Sequence, residues 1–245
     1  MSLVACQAAN YPSSSTDPAN PARSRDNGTV AVFSTEGEFV DAYEVGSLPD
    51  MVTFTPDGSK LVVANEGEAV CEYSYVPDGD GGFEVELDGN DPVYTNVLVD
   101  DPEGSISIID LTKPSTDASA VQTAGFTGFN GDVDALREAD VRIWTGPVWD
   151  PTNDEYTVAQ DLEPEYVTVA PDGATAYVTL QENNAVAVVD IASATVVDII
   201  GLGYKDHSVD GQGLDPTDND GTAVIGTWPV RGLYLPDAIA SAALG

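Results

Sequence analysis

Leu48-Pro49-Asp50-Met51-Val52-Thr53-Phe54-Thr55-Pro56-Asp57-Gly58 leads into Lys60-Leu61-Val62-Val63-Ala64-Asn65-Glu66, and the chain later repeats the phrase. The second copy is Glu163-Pro164-Glu165-Tyr166-Val167-Thr168-Val169-Ala170-Pro171-Asp172-Gly173, followed by Thr175-Ala176-Tyr177-Val178-Thr179-Leu180-Gln181. A third copy begins at Leu235-Pro236-Asp237-Ala238-Ile239-Ala240. Each full copy is a short β-branched run, a Pro-Asp-Gly tight turn and a second run, which is the signature of a β-hairpin. A recurring supersecondary unit sets the architecture before any single residue does.

Outward from the second copy, Asn183-Asn184 makes a short turn. Ala185-Val186-Ala187-Val188-Val189-Asp190 and Thr195-Val196-Val197-Asp198-Ile199-Ile200 then supply two more strands. Four consecutive antiparallel strands in about 40 residues describe one blade of a β-propeller. The first copy has the same order, with its third strand, Ser105 to Asp110, delayed by an insertion over 66–103. Thr29–Phe33 and Phe39–Val45 look like strands three and four of a preceding blade. The fold class expected is therefore all-β, a partial propeller of roughly three four-stranded blades over 28–245. One short helix is expected near Asp132–Asp140, with Val133 and Leu136 on one side, as a loop decoration.

Charge restricts function. The chain has 42 acidic residues against 8 basic ones, a net charge of −34. That excludes the basic surfaces that nucleic acids and anionic membranes require. An acidic surface with only Lys60, Lys113 and Lys205 as lysines fits life in high salt, where screening weakens self-repulsion. A calcium-rich extracellular setting is the compatible alternative. Cys6 and Cys71 make no disulfide framework, and a lone histidine, His207, gives no zinc spacing. There is no run of about 20 apolar residues to span a membrane.

Residues 1–27 read as a flexible Ser/Pro/Asn-rich tether. Within it Leu3-Val4-Ala5-Cys6 resembles a lipobox, which makes Cys6 a candidate lipidation site, although the basic and apolar regions of a signal peptide are missing upstream.

The longer phrases LPDMVTFTPDG, VVANEGE, DPEGSISIIDL, GFNG with VRI downstream, VAQDLEPEYVTV, VTLQENNAVAVVDI, LGYKDHS, GLDPTDNDG and WPVRGLYLPDAIA carry a resemblance. The blade rhythm is similar to the YVTN-type propeller repeat, and the phrases together resemble the choice-of-anchor I family. Those are secreted bacterial and archaeal surface proteins with animal relatives called mesenchyme-specific cell-surface glycoproteins; some members carry the label alkaline phosphatase. The resemblance covers nearly all of Gly28 to Ala240. It implies an extracellular or cell-surface location and further blades beyond the third copy. It leads to the expectation of an unsatisfied sheet edge near Pro236–Ser241. The insertion looks longer than the family's usual loop.

Candidate chemistry is sparse. Asp215, Asp218 and Asp220, closed by Gly221, could wrap oxygen ligands around Ca²⁺, although Pro216 breaks EF-hand spacing and an acidic turn explains the same residues. Asp161, Glu163, Glu165 and Glu182 form a second acidic group, in which Glu163 and Glu165, two apart on a strand, share a face. Asp50, Glu165 and Asp237 recur at one blade position, and equivalent positions converge around a propeller's channel. A ring that holds metal and a set of local turn caps both fit that recurrence. Asp206 and His207, within Lys205-Asp206-His207-Ser208, are the catalytic candidates. The insertion holds twelve acidic and no basic residues, with Asp78-Gly79-Asp80-Gly81-Gly82 as a mobile tip. Trp144, Trp149, Tyr156 and Trp228 suit either a ligand surface or packing under long loops. The function expected is an extracellular or surface interaction module for an unknown ligand or protein, with Ca²⁺ as the candidate cofactor. A metal-dependent phosphoesterase is the alternative that the family label implies.

Overall fold

Both Pro-Asp-Gly turns close in the same way. Gly58 N–H donates to Thr55 O at 2.8 Å and Gly173 N–H to Ala170 O at 2.8 Å. The two glycines have φ of 69° and 73°, a region where a side chain is strained. The computed structural model describes residues 3–8, 26–73, 76–77, 83–84, 86–88, 91–93, 96–144, 157–217 and 221–243.

The first sheet contains β1 (Leu3–Ala8), β2 (Asn27–Ser34) and β3 (Phe39–Ser47), in the order β1-β2-β3. The second blade starts with β4 (Pro49–Phe54) and β5 (Lys60–Asn65). Six short strands follow in the insertion: β6 (Val70–Tyr73), β7 (Val76–Pro77), β8 (Phe83–Glu84), β9 (Glu86–Asp88), β10 (Asp91–Val93) and β11 (Asn96–Asp100). They pair as β6–β11, β7–β8 and β9–β10. The tip Asp78–Gly82 lies outside the described residues. The blade then resumes with β12 (Ser105–Asp110) and β13 (Val121–Gly125), giving the order β4-β5-β12-β13 from inside to outside. The third blade runs β14 (Pro164–Val169), β15 (Thr175–Leu180), β16 (Ala185–Asp190) and β17 (Thr195–Gly201) in simple succession. A small hairpin pairs β18 (Lys205–Asp206) with β19 (Arg231–Gly232). These are four-stranded antiparallel blades of an unclosed β-propeller, as the repeat requires.

The blades stack face to face. One core layer lies between the first sheet and the second blade, with Val30, Val32, Tyr43 and Val45 against Leu61, Val63 and Ile109. The other lies between the second and third blades, where Val62, Ala64, Ile106 and Ile108 meet Val167, Val178, Ala187 and Val189. Successive residues of β5 therefore point into different cores, which is why its apolar run is unbroken. Each fully buried aliphatic side chain contributes about 1.5–3 kcal/mol.

Three expectations need correction. Leu3–Ala8, placed within the tether on sequence, is a strand in which Cys6 stands opposite Ala31. Lipidation at Cys6 would make it the first residue of the mature chain and remove Leu3, Val4 and Ala5 from that pairing. The helix near residue 135, α1 (Val133–Glu138), is not a loop decoration: Leu136 is buried in the core between the second and third blades. A second helix, α2 (Val158–Asp161), was not expected; it starts at a capping box made by Thr157 and Gln160 and buries Val158 and Ala159 in the same core.

Candidate functional site: the acid-lined mouth of the inner strands

The inner strands β4 and β14 lie side by side. Each begins with the repeated phrase, so Asp50 and Glu165 sit at the same end of neighbouring strands. The third copy extends the series. Leu48 and Leu235, the residues two before Asp50 and Asp237, both take left-handed φ, 49° and 46°. Ser241 then ties that segment to β14, its backbone N–H donating to Thr168 Oγ1 at 3.1 Å and its hydroxyl to Val169 O at 2.7 Å.

Electrostatics shows that the repeat-related acids share one field. Burial, followed by the charge of Asp237, raises the Asp50 carboxyl above its ordinary range. Burial pushes Glu165 up to about 7, with Glu182, Asp50 and Asp237 adding to the effect. Gln181 steadies Glu165, its amide nitrogen turned to donate to the carboxylate. Glu163 rises to about 8 through burial first and then Glu182, Glu66, Glu68 and Asp161. Desolvation and like charge both favour the protonated form.

Glu66 belongs to this mouth and was missed on sequence, where it reads only as the end of a strand. It rises to about 7 by burial, then by Glu68, Asp50, Glu165 and Glu182. Its backbone N–H donates to Leu48 O at 2.9 Å, since the hairpin returns the end of β5 to the start of β4. That pairing was the available signal. Glu182 has a buried carboxylate oxygen, Oε2, without a hydrogen-bond partner among the described residues.

Asp161 stands just behind. Burial raises it to about 7 despite a hydrogen bond from the Trp144 backbone N–H and the nearby charge of Arg142. The guanidinium of Arg142 lies 4.4 Å over the Trp144 ring. Asn183 is a buried clamp for this corner. Its Nδ2 donates to Asp161 O at 2.6 Å and to Arg142 O at 3.1 Å, and its Oδ1 accepts from Glu163 N–H at 3.1 Å. The expected short turn at Asn183-Asn184 is thus also a structural knot.

Among the described residues, no three His, Cys, Asp or Glu side chains are grouped closely enough to hold a metal ion together. The acids form a diffuse negative mouth rather than a tight chelate. Asp215 organises its own loop, with Oδ2 accepting from Val224 N–H at 2.9 Å. Asp218 and Asp220 lie outside the described residues, as do Trp149 and Tyr156. Asp206 ends β18, paired with Arg231 of β19, and His207 begins the turn that follows. Asp206 accepts from the Ser208 N–H at 2.9 Å and hydroxyl at 2.6 Å, which hold its pKa low. His207 Nδ1 is 2.7 Å from Gln212 O. Both groups are engaged in local structure, and their geometry lends the phosphatase label no support.

Repeated four-stranded blades with acids gathered where the inner strands begin define a β-propeller module. The chain belongs to the choice-of-anchor I domain family, whose model matches residues 4–245. No curated protein matches it. Among solved structures it is similar to Kuenenia stuttgartiensis hydrazine synthase, at 17% identity and TM-score 0.30, covering 67% of this chain and 33% of that one. It is also similar to the β-propeller domain of Cps50 (Swd1) from Myceliophteria thermophila, at 14% identity and TM-score 0.26, covering 72% and 51%. A functionally unknown protein from Desulfotomaculum acetoxidans matches at 19% identity and TM-score 0.22, covering 71% and 50%. The chain spans only about a third to a half of these structures' lengths. Among the described residues, no helix is long and apolar enough to cross a membrane.

Proposed function

We propose that the chain is an extracellular or cell-surface interaction module, in which the acid-lined mouth of the propeller is the binding surface and Ca²⁺ is its cation. The observation that carries this reading is the electrostatic coupling of Asp50, Glu165 and Asp237, one from each copy of the repeat, with Glu66, Glu163 and Glu182 around them. A hard divalent cation is attracted to such a field and relieves its repulsion. The family description supports the surface location. The net charge of −34 suits a salty or calcium-rich medium and keeps anionic polymers away. In the working form, further blade strands complete the open array.

Calorimetric titration with Ca²⁺ at pH 8 tests the proposal. Saturable heat is expected, and it falls at least tenfold in the Asp50→Asn/Glu165→Gln double variant. Heat unchanged by that variant, or matched by an equal ionic strength of Na⁺, would count against the mouth as the cation site.

A further inference from the structure

Asn27-Gly28-Thr29 has the form of an acceptor for N-linked sugar, Asn-x-Thr without proline in the middle. The chain holds eleven asparagines, and the other ten lack a serine or threonine two positions on, so any such sugar falls on this residue. The fold puts Asn27 where a bulky polar group can stand. It is the first residue of β2 and is exposed, while Gly28 after it is buried. The register against β3 shifts here, with Asn27 opposite Ser47 and Thr29 opposite Glu44. Asn27 Nδ2 donates to Glu44 Oε1 at 3.0 Å. A sugar bonded to Nδ2 replaces one of its two hydrogens and leaves the other for Glu44.

Asn27 also lines a cavity of about 560 Å³ between the first sheet and the second blade. That volume lies within the about 300–1,000 Å³ of small-molecule sites. Glu44 and Ser47 enter it from β3, Glu103 and Ser105 from the start of β12, and Thr123 from β13. Gly46 forms part of its floor, because a Cβ there would stand 2.5 Å from Ser105 Oγ. Ser105 is held from below by the buried Asn65, whose Nδ2 donates to its hydroxyl at 3.2 Å. Two carboxylates and three hydroxyls thus face one space, and among the described residues its lining carries no positive charge. Such a lining suits a neutral ligand rich in O–H donors and repels an anionic one. Motif and cavity are independent features that meet at one side chain.

We propose that Asn27 carries an N-linked glycan whose first sugars lie in the cavity between the first sheet and the second blade. The modification rests on the extracellular or cell-surface location proposed above, because the sugar is transferred to secreted chains. The donor is a lipid-linked sugar phosphate. Its anomeric carbon forms a bond to Nδ2 as the bond from that carbon to the phosphate oxygen breaks. The lipid phosphate leaves with the electron pair, and Nδ2 gives one proton to a base of the transferase. Thr29 supplies the hydroxyl that the motif requires. In the folded chain its backbone is paired on both sides, with Ala8 of β1 and Glu44 of β3. Transfer therefore precedes closure of the first sheet. Once the sheet has closed, Glu44 and Thr123 stand ready to accept hydrogen bonds from sugar hydroxyls.

The protein is purified from its source cells and digested, and the peptide that contains Asn27 is weighed. Its mass should exceed that of the bare peptide by whole sugar residues. Asn27→Gln and Thr29→Ala should remove the excess, and Thr29→Ser, which keeps the hydroxyl, should retain it. The glycosylated protein should melt about 2–4 °C above Asn27→Gln, which keeps an amide but takes no sugar. Thr123→Trp fills the cavity from an exposed position, and it should roughly halve that gap while the sugar stays attached. A bare Asn27 peptide in protein recovered outside the cell overturns the proposal and leaves the surface reading standing. A bare peptide in protein found only inside the cell overturns both. A glycan whose loss leaves the melting temperature unchanged, or a gap indifferent to Thr123→Trp, overturns the cavity as its seat.

Discussion

The second and third blades share one sequence rhythm and differ in what covers them. In the second, β5 and β12 are buried on both faces, because a sheet lies on either side. In the third, β16 alternates between buried and half-buried residues, and β17 is largely exposed. The same pattern of residues therefore yields a two-sided core strand in one place and a one-sided strand in the other. Neighbours, rather than strand propensity, set the burial of a blade.

Paired substitutions at matched positions should separate the two blades most clearly. Ile108→Ala in the second blade should cost about 2–5 kcal/mol, the range for emptying a closed aliphatic site. Val188→Ala at the matching position of the third blade should cost about 1 kcal/mol or less, because its site is half open. Denaturant midpoints would measure both. Equal losses would mean that the third blade is covered after all.

The next effect concerns pH. Glu163, Glu165 and Glu66 have folded pKa values near 8, 7 and 7, above the ordinary 4.5. The folded state thus holds protons that the unfolded state has released, so the contribution of these three groups to stability is full below about pH 4.5 and falls as pH rises toward 8. Glu163→Gln should flatten that decline and raise the thermal midpoint more at pH 8 than at pH 4.5. A midpoint rising from pH 5 to 8 in the wild-type chain would contradict the buried repulsion. Added Ca²⁺ should recover part of the lost stability at pH 8, and Glu165→Gln should reduce that recovery.

A smaller contrast lies in the turns. Asp57 accepts from Thr55 Oγ1 at 2.7 Å, Ser59 N–H at 3.0 Å and Ser59 Oγ at 2.9 Å, while Asp172 accepts from Ala174 N–H at 2.9 Å. Those bonds hold Asp57 down at about 2. Asp57→Ala should lower the melting temperature more than Asp172→Ala, and the gap should close below pH 3 as Asp57 begins to protonate.

Much of this was legible because it is local. Pro-Asp-Gly turns, short β-branched runs and their order are written within a few residues of one another, and they gave the blades and the recurring acidic position. What failed depended on distant pairing. Leu3–Ala8 looks like part of a flexible tether because its partner, β2, lies beyond a polar stretch that hides the connection. Glu66 looked like the beginning of an insertion until the hairpin register placed it beside Leu48. The Thr157–Gln160 capping box was visible as a Thr-x-x-Gln motif, but four helical residues are too few for periodicity to announce. The left-handed leucines had no signal, since that conformation belongs by preference to glycine.

Those leucines have a consequence of their own. A left-handed residue with a side chain costs roughly 1–2 kcal/mol. At Leu48 the cost is offset by an almost complete escape from water, with 7% of the residue's surface left exposed. Leu235 holds the same bend at 40% exposure. The third copy therefore holds the bend without the burial that offsets it at Leu48. Whatever covers Leu235 gains twice, from apolar surface removed from water and from a bend already in place.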